Sequence, residues 1–111
     1  MANTTILVVD DEPDIRHTVK EILQDEGYSV LLAADAVEAR ELRMREHPDV
    51  ALLDIWMPGT DGISLLREWA EGGVLAACPV IMMSGHGTVE TAVEATRLGA
   101  YDFIEKPISL A

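Results

Sequence analysis

Five short apolar runs punctuate the chain: Thr5 to Val9, Val30 to Ala33, Val50 to Leu53, Val80 to Met83, and the weaker Tyr101 to Ile104. None alternates apolar with polar, so none reads as a strand with one wet face. Continuous runs of this kind belong to strands buried on both sides and predict a parallel sheet with helices on either face. Between the runs the period changes to that of a helix. After Pro13, Ile15, Val19, Ile22 and Leu23 recur at helical spacing up to a stop at Gly27. From Asp35, an expected N-cap, Ala36, Ala39 and Leu42 form a thinner stripe that ends before Pro48. Leu65, Leu66 and Trp69 follow Asp61 and run to Gly72-Gly73, and Val89, Ala92, Val93 and Thr96 follow Thr88 and run to Gly99.

Strand and helix thus alternate from end to end, which predicts an α/β fold with a doubly wound five-stranded parallel sheet and right-handed crossovers. After Ile104 only Glu105 to Ala111 remain, too few for a further full helix, so a fifth helix is expected to be largely absent from this chain. The fourth helix turns mostly alanine, valine and threonine inward. At about 25 cal/mol per Å² of buried apolar surface such a face contributes little, and this helix is expected to dock most weakly.

Composition narrows the picture. The chain has 111 residues without repeats or Pro/Gly/Ser-rich linkers, so residues 1-111 are expected to form one domain. Its hydrophobic fraction of 49% is that of a chain with a real core, not of a disordered acidic tail. The formal net charge is -12, which repels phosphate backbones and anionic lipid and argues against direct nucleic-acid or membrane binding. The single cysteine, Cys78, excludes an internal disulfide or multi-cysteine zinc site and is expected to be a buried, inert thiol. The longest apolar stretch, Val74 to Met83, is broken by Pro79 and falls short of the roughly 20 residues of a membrane span. The start carries no basic segment followed by an apolar one, so a cytoplasmic setting is expected.

In an open parallel sheet the ligand site lies beyond the carboxyl ends of the strands. The first run closes with Asp10-Asp11-Glu12, the third with Asp54, the fourth with Ser84, and the fifth is followed by Lys106-Pro107. Singly, each has a plainer role as an N-cap, a first-turn acid, a turn residue or a solvated lysine. Four strand ends carrying acid, acid, hydroxyl and amine make a common crevice the better reading. Carboxylates of Asp10, Asp11 and Asp54 converging there would repel one another without a cation among them. Hard oxygens without His or Cys partners suit Mg²⁺, and His17, His47 and His86 lack metal-ligand spacing. A carboxylate beside a divalent ion, with an ammonium and a hydroxyl nearby, can accept a phosphoryl group as an acyl phosphate. Asp54 stands alone at the end of a central strand and is the expected nucleophile; Ser84 and Lys106 would contact the transferred oxygens.

These residues resemble the receiver domain of two-component response regulators, of the CheY-like, flavodoxin-like type. Val8-Val9-Asp10-Asp11-Glu12 resembles the family's acidic cluster, Leu53-Asp54-Ile55-Trp56-Met57-Pro58-Gly59 its phosphoacceptor loop, Met83-Ser84-Gly85-His86 its switch-hydroxyl segment, and Lys106-Pro107 its lysine and following proline. The resemblance spans nearly the whole chain in the family's order. It implies that Asp54 is phosphorylated by a partner sensor histidine kinase, and that Asp11, Asp54 and the Trp56 backbone carbonyl bind Mg²⁺ with Asp10 assisting through water. It further implies that Lys106 contacts the phosphoryl group, that Ser84 and Phe103 switch together, and that the Lys106-Pro107 bond is cis.

The stretch from Ser84 to Pro107 is similar to receivers of nitrogen-regulation transcription factors of the NtrC and NtrX type. That implies an ATPase or DNA-binding output domain and transcriptional control. Family members add a fifth helix after the Lys-Pro turn. This chain therefore reads as a receiver ending at the start of its last helix, with an exposed sheet face that predicts a homodimer. Trp56 and His86 each follow a site residue by two places and are expected to flank the phosphoryl pocket, Trp56 limiting attack by water.

The rival readings are weaker. A Mg²⁺-dependent phosphohydrolase of the haloacid-dehalogenase type needs a second Asp where Trp56 stands, and a substrate cap for which 111 residues leave no room. A nucleotide-binding loop would need glycine at Glu90. A degenerate receiver is disfavoured because the acidic pair, acceptor, hydroxyl and lysine are all present. A stand-alone phosphorelay receiver would carry the same residues.

Overall fold

The computed structural model of the chain describes residues 4–57, 59–85 and 89–105, apart from the side chains of Val89 and Glu105. Strands β1 (Thr5–Val9), β2 (Ser29–Ala33), β3 (Val50–Asp54), β4 (Val80–Ser84) and β5 (Asp102–Glu105) alternate with helices α1 (Pro13–Asp25), α2 (Ala36–Glu46), α3 (Gly62–Glu71) and α4 (Val89–Leu98). The strands form one sheet in the order β2-β1-β3-β4-β5. Every neighbouring pair is parallel. This is the doubly wound five-stranded sheet that the uninterrupted apolar runs predict.

Helices pack on both faces of the sheet, α2, α3 and α4 on one and α1 on the other among the described residues, and each strand divides its side chains between them. Leu7, Val9, Leu53 and Met82 pack with Leu65, Leu66 and Trp69 of α3 and with Ala36 and Ala39 of α2. Ile6, Val8, Leu52 and Met83 face the other way and meet Val19 and Leu23 of α1. On that second face a groove of about 410 Å³ is lined by Ile6, Leu23, Leu52, Ile81 and Ile104, among others. A small-residue inner face is not peculiar to α4. Among the described residues α4 fully buries Ala95, and α2 buries only Ala36 and Ala39, so two helices rest on small side chains.

Local chemistry sets the helix ends. The Asp35 carboxylate accepts from the Glu38 N–H at 2.9 Å while Glu38 accepts from the Ala34 N–H at 2.8 Å, a reciprocal cap at the start of α2. Asp61 caps α3 by accepting from the Ser64 N–H at 2.7 Å. His47 closes α2 in the left-handed region, φ 48°, just before Pro48.

Three details differ from the expectation. Asp54 and Ser84 continue their strands' ladders instead of sitting past them. Tyr101 lies outside β5 and is exposed, its N–H donating to the Val80 carbonyl at 2.7 Å. A 3₁₀ turn, Val74–Ala76, follows the Gly72-Gly73 stop. Among the described residues no helix is long and apolar enough to cross a membrane. Cys78 is buried, as expected, and burial pushes its thiol pKa up, with Arg43 opposing and Asp49 adding to the shift. The expected start of a fifth helix and the Lys106-Pro107 bond lie outside the described residues.

Candidate functional site

Burying a polar side chain costs free energy unless it is partnered, so buried polar groups mark structural networks or functional sites. Among the described residues the buried polar side chains are Asp10, Asp54 and Ser84, at 0%, 3% and 0% exposure. All three stand at the carboxyl ends of the adjacent strands β1, β3 and β4. The registers explain why. Val9 pairs with Leu53, so Asp10, just past β1, and Asp54, the last residue of β3, come side by side. Asp54 pairs with Met83, so Ser84 comes one residue further along the neighbouring strand.

Main-chain hydrogen bonds carry the sheet's order into the crevice. The Asp10 N–H donates to the Ala33 carbonyl at 3.1 Å and the Ile55 N–H to the Met83 carbonyl at 3.0 Å. The Asp10 carboxylate turns back on its own loop, Oδ1 accepting from the Glu12 N–H at 2.9 Å. Gly62, the first residue of α3, packs on the end of β3, and its N–H donates to the Ile55 carbonyl at 2.9 Å.

Oxygens of Asp10, Asp11 and Glu12 lie within 4.8 Å of one another, with Asp10 buried, Asp11 half-buried and Glu12 exposed. Three carboxylates so close, with no imidazole or thiolate in the group, form a donor set that fits a hard divalent cation. The group shares Asp10 and Asp11 with the set expected from the sequence. Glu12 belongs to it, whereas Asp54 approaches from the neighbouring strand and lies outside it.

Trp56 is 57% exposed, two residues beyond Asp54. Phe103 is half-buried on β5, paired in register with Met82 and packed at the margin of the larger core cluster. Lys106, Pro107 and His86, also singled out in the sequence, lie outside the described residues. Two residues of the site were not singled out. Glu12 stands in the sequence only as the end of an acidic string. Arg16 donates from Nη1 to the Asp10 carbonyl at 2.7 Å; its signal in the sequence is that it is the first Lys or Arg of the chain, six residues past Asp10.

Comparison with known proteins fits this geometry. Residues 6–111 match the family model described as response regulator receiver domain. The chain is 50% identical over 110 residues to the nitrogen assimilation regulatory protein NtrX of Azorhizobium caulinodans, covering 94% of this chain and 23% of that protein. It therefore spans less than a quarter of that relative's length. Among solved structures, the receiver domain of NtrX from Brucella abortus superposes with a TM-score of 0.85 at 50% identity, covering 94% of this chain and 87% of that one. A CheY-like response regulator receiver domain protein from Methanospirillum hungatei gives 0.88 at 33% identity, covering 97% and 85%.

Proposed function

The chain belongs to the response regulator receiver domain family, as a CheY-like receiver of the NtrX/NtrC type, and from that premise we propose that it is a phosphorylation-controlled switch with Asp54 as phosphoacceptor. The observation that carries this reading is the confinement of the buried polar side chains Asp10, Asp54 and Ser84 to three adjacent strand ends.

In this reading an oxygen of the Asp54 carboxylate attacks the phosphorus of a phosphohistidine on a sensor kinase. The new O–P bond forms as the N–P bond breaks, and the imidazole leaves with that bonding pair. Mg²⁺, when bound, offsets charge on the transferred oxygens. Asp10, Asp11, Asp54 and the Trp56 carbonyl would hold it, and the close carboxylate group at Asp10, Asp11 and Glu12 supports a cation there. Ser84 hydrogen-bonds one phosphoryl oxygen and Lys106 neutralises another. Movement of Ser84 toward the phosphoryl group leaves room for Phe103 to turn inward, and the thinly packed α4, which fully buries only Ala95 among its described side chains, shifts with it. His86 and Trp56 flank the pocket.

An output domain in the whole protein, transcriptional in kind, would read that shift. The apolar groove along Ile6, Leu52, Ile81 and Ile104 supports pairing of two copies of the chain. A cytoplasmic setting, beside the kinase's phosphorylating domain, completes the proposal. Incubation with Mg²⁺ and acetyl phosphate, read by intact mass, tests it. One phosphoryl addition that is lost in Asp54→Ala is expected. Multiple turnover of a generic phosphoester with no adduct would turn the reading into that of a phosphatase.

A further inference from the structure

Helix α1 begins without the usual side-chain help: Glu12, at its N-cap, makes no capping hydrogen bond. Two bonds that converge on Asp10 tie the turn instead. The Glu12 N–H donates to Asp10 Oδ1 at 2.9 Å, and the half-buried Arg16, the fourth residue of α1, reaches back to the Asp10 carbonyl oxygen at 2.7 Å. That oxygen belongs to the peptide that joins Asp10 to Asp11. Holding it fixes ψ of Asp10 and with it the plane from which the Asp11 side chain departs, because the peptide is rigid. The same guanidinium puts a delocalised cation beside a loop whose three carboxylates lie within 4.8 Å of one another.

We propose that Arg16 is a positioning residue of the divalent-cation site. Its hydrogen bond holds the Asp10–Asp11 peptide, and so the two carboxylates, in the arrangement that takes the ion; the role rests on the reading of Asp10 and Asp11 as Mg²⁺ ligands. Arg16 itself does not touch the ion. Partners that orient ligands in this way typically tune metal affinity by about 10- to 100-fold. The sign of the effect separates this role from that of a nearby charge. A guanidinium acting through its charge alone repels Mg²⁺, so removing it would tighten binding.

Calorimetric Mg²⁺ titration of the chain, with the metal-free melting temperature recorded in parallel, tests the proposal in Arg16→Gln and Arg16→Lys. Arg16→Gln is expected to bind Mg²⁺ at least about tenfold more weakly. Arg16→Lys keeps the charge on a shorter, single-headed donor and is expected to fall between Arg16→Gln and the wild type. Unchanged or tighter binding in Arg16→Gln overturns the proposal, even if the metal-free protein melts lower, since a merely structural bond would move only the melting temperature. If Arg16→Gln fails to melt cooperatively, Arg16→Lys decides, with wild-type affinity counting against the role. A wild-type chain that takes up no Mg²⁺ overturns the ligand reading itself and this role with it, a result distinct from equal binding by all three proteins.

Discussion

Gly62 and Asp54 pack main chain to main chain: a Cβ on Gly62 would overlap the Asp54 carbonyl oxygen and lie 2.8 Å from its carbonyl carbon. The first residue of α3 is thereby seated on the end of the strand that carries the proposed phosphoacceptor. Gly62→Ala must push the two apart. It is expected to cost about 1–3 kcal/mol, as overpacked sites do, seen as a lower urea midpoint with an unchanged slope. Phosphorylation by acetyl phosphate should slow as Asp54 shifts. An unchanged midpoint would show that the contact relaxes freely.

Relief of carboxylate repulsion at Asp10, Asp11 and Glu12 should make folding depend on metal. Mg²⁺ at a hundredfold excess over its dissociation constant is expected to add about 2.7 kcal/mol of stability and raise the melting temperature. Asp11→Asn should reduce that increment. A melting temperature indifferent to Mg²⁺ in the wild type would count against the cation site.

Trp56 is exposed at 57%, more open than a structural aromatic needs to be. If its bulk screens the acyl phosphate from water, Trp56→Ala should shorten the life of the phosphorylated form several-fold, measured by loss of the adduct in intact mass, while folding stability barely changes. An unchanged decay rate would leave Trp56 without a part in the lifetime.

Burial raises the Cys78 pKa above its ordinary value of 9.0. The folded chain then holds the thiol proton more tightly than the unfolded chain, so its contribution to stability is present in full below the ordinary value and is lost as pH rises above it. Urea unfolding of the wild type should weaken more steeply above about pH 9 than that of Cys78→Ala. At neutral pH, labelling of Cys78 by a thiol reagent should await unfolding; fast labelling of the folded protein would contradict the burial.

Much of this was legible in the chain because buried parallel strands write themselves as continuous apolar runs. Asp10, Asp54 and Ser84 could be read because each interrupts such a run at the same end. What was not legible came from contacts between distant or polar groups. Arg16 bonds a main-chain oxygen, and no side-chain pattern encodes that partner. Asp54 and Ser84 extend their strands by one residue because the neighbouring ladder continues, although polarity suggests a stop. The thin seat of α2 is written in the sequence too, in the smallness of Ala36 and Ala39 on its apolar stripe.

The strand order has a bearing on how the site comes into being. β1 lies between β2 and β3, and β3 between β1 and β4, so the three strands that carry the buried polar groups meet only after three crossover helices and β2 have been placed. During synthesis Asp10 and Asp11 emerge early and stay unassembled until residues far down the chain pair beside them. Closing such non-local contacts is slow compared with forming a helix. Competence to accept a phosphoryl group should therefore appear and vanish with the sheet as a whole, which makes chemical activity a direct clock of folding.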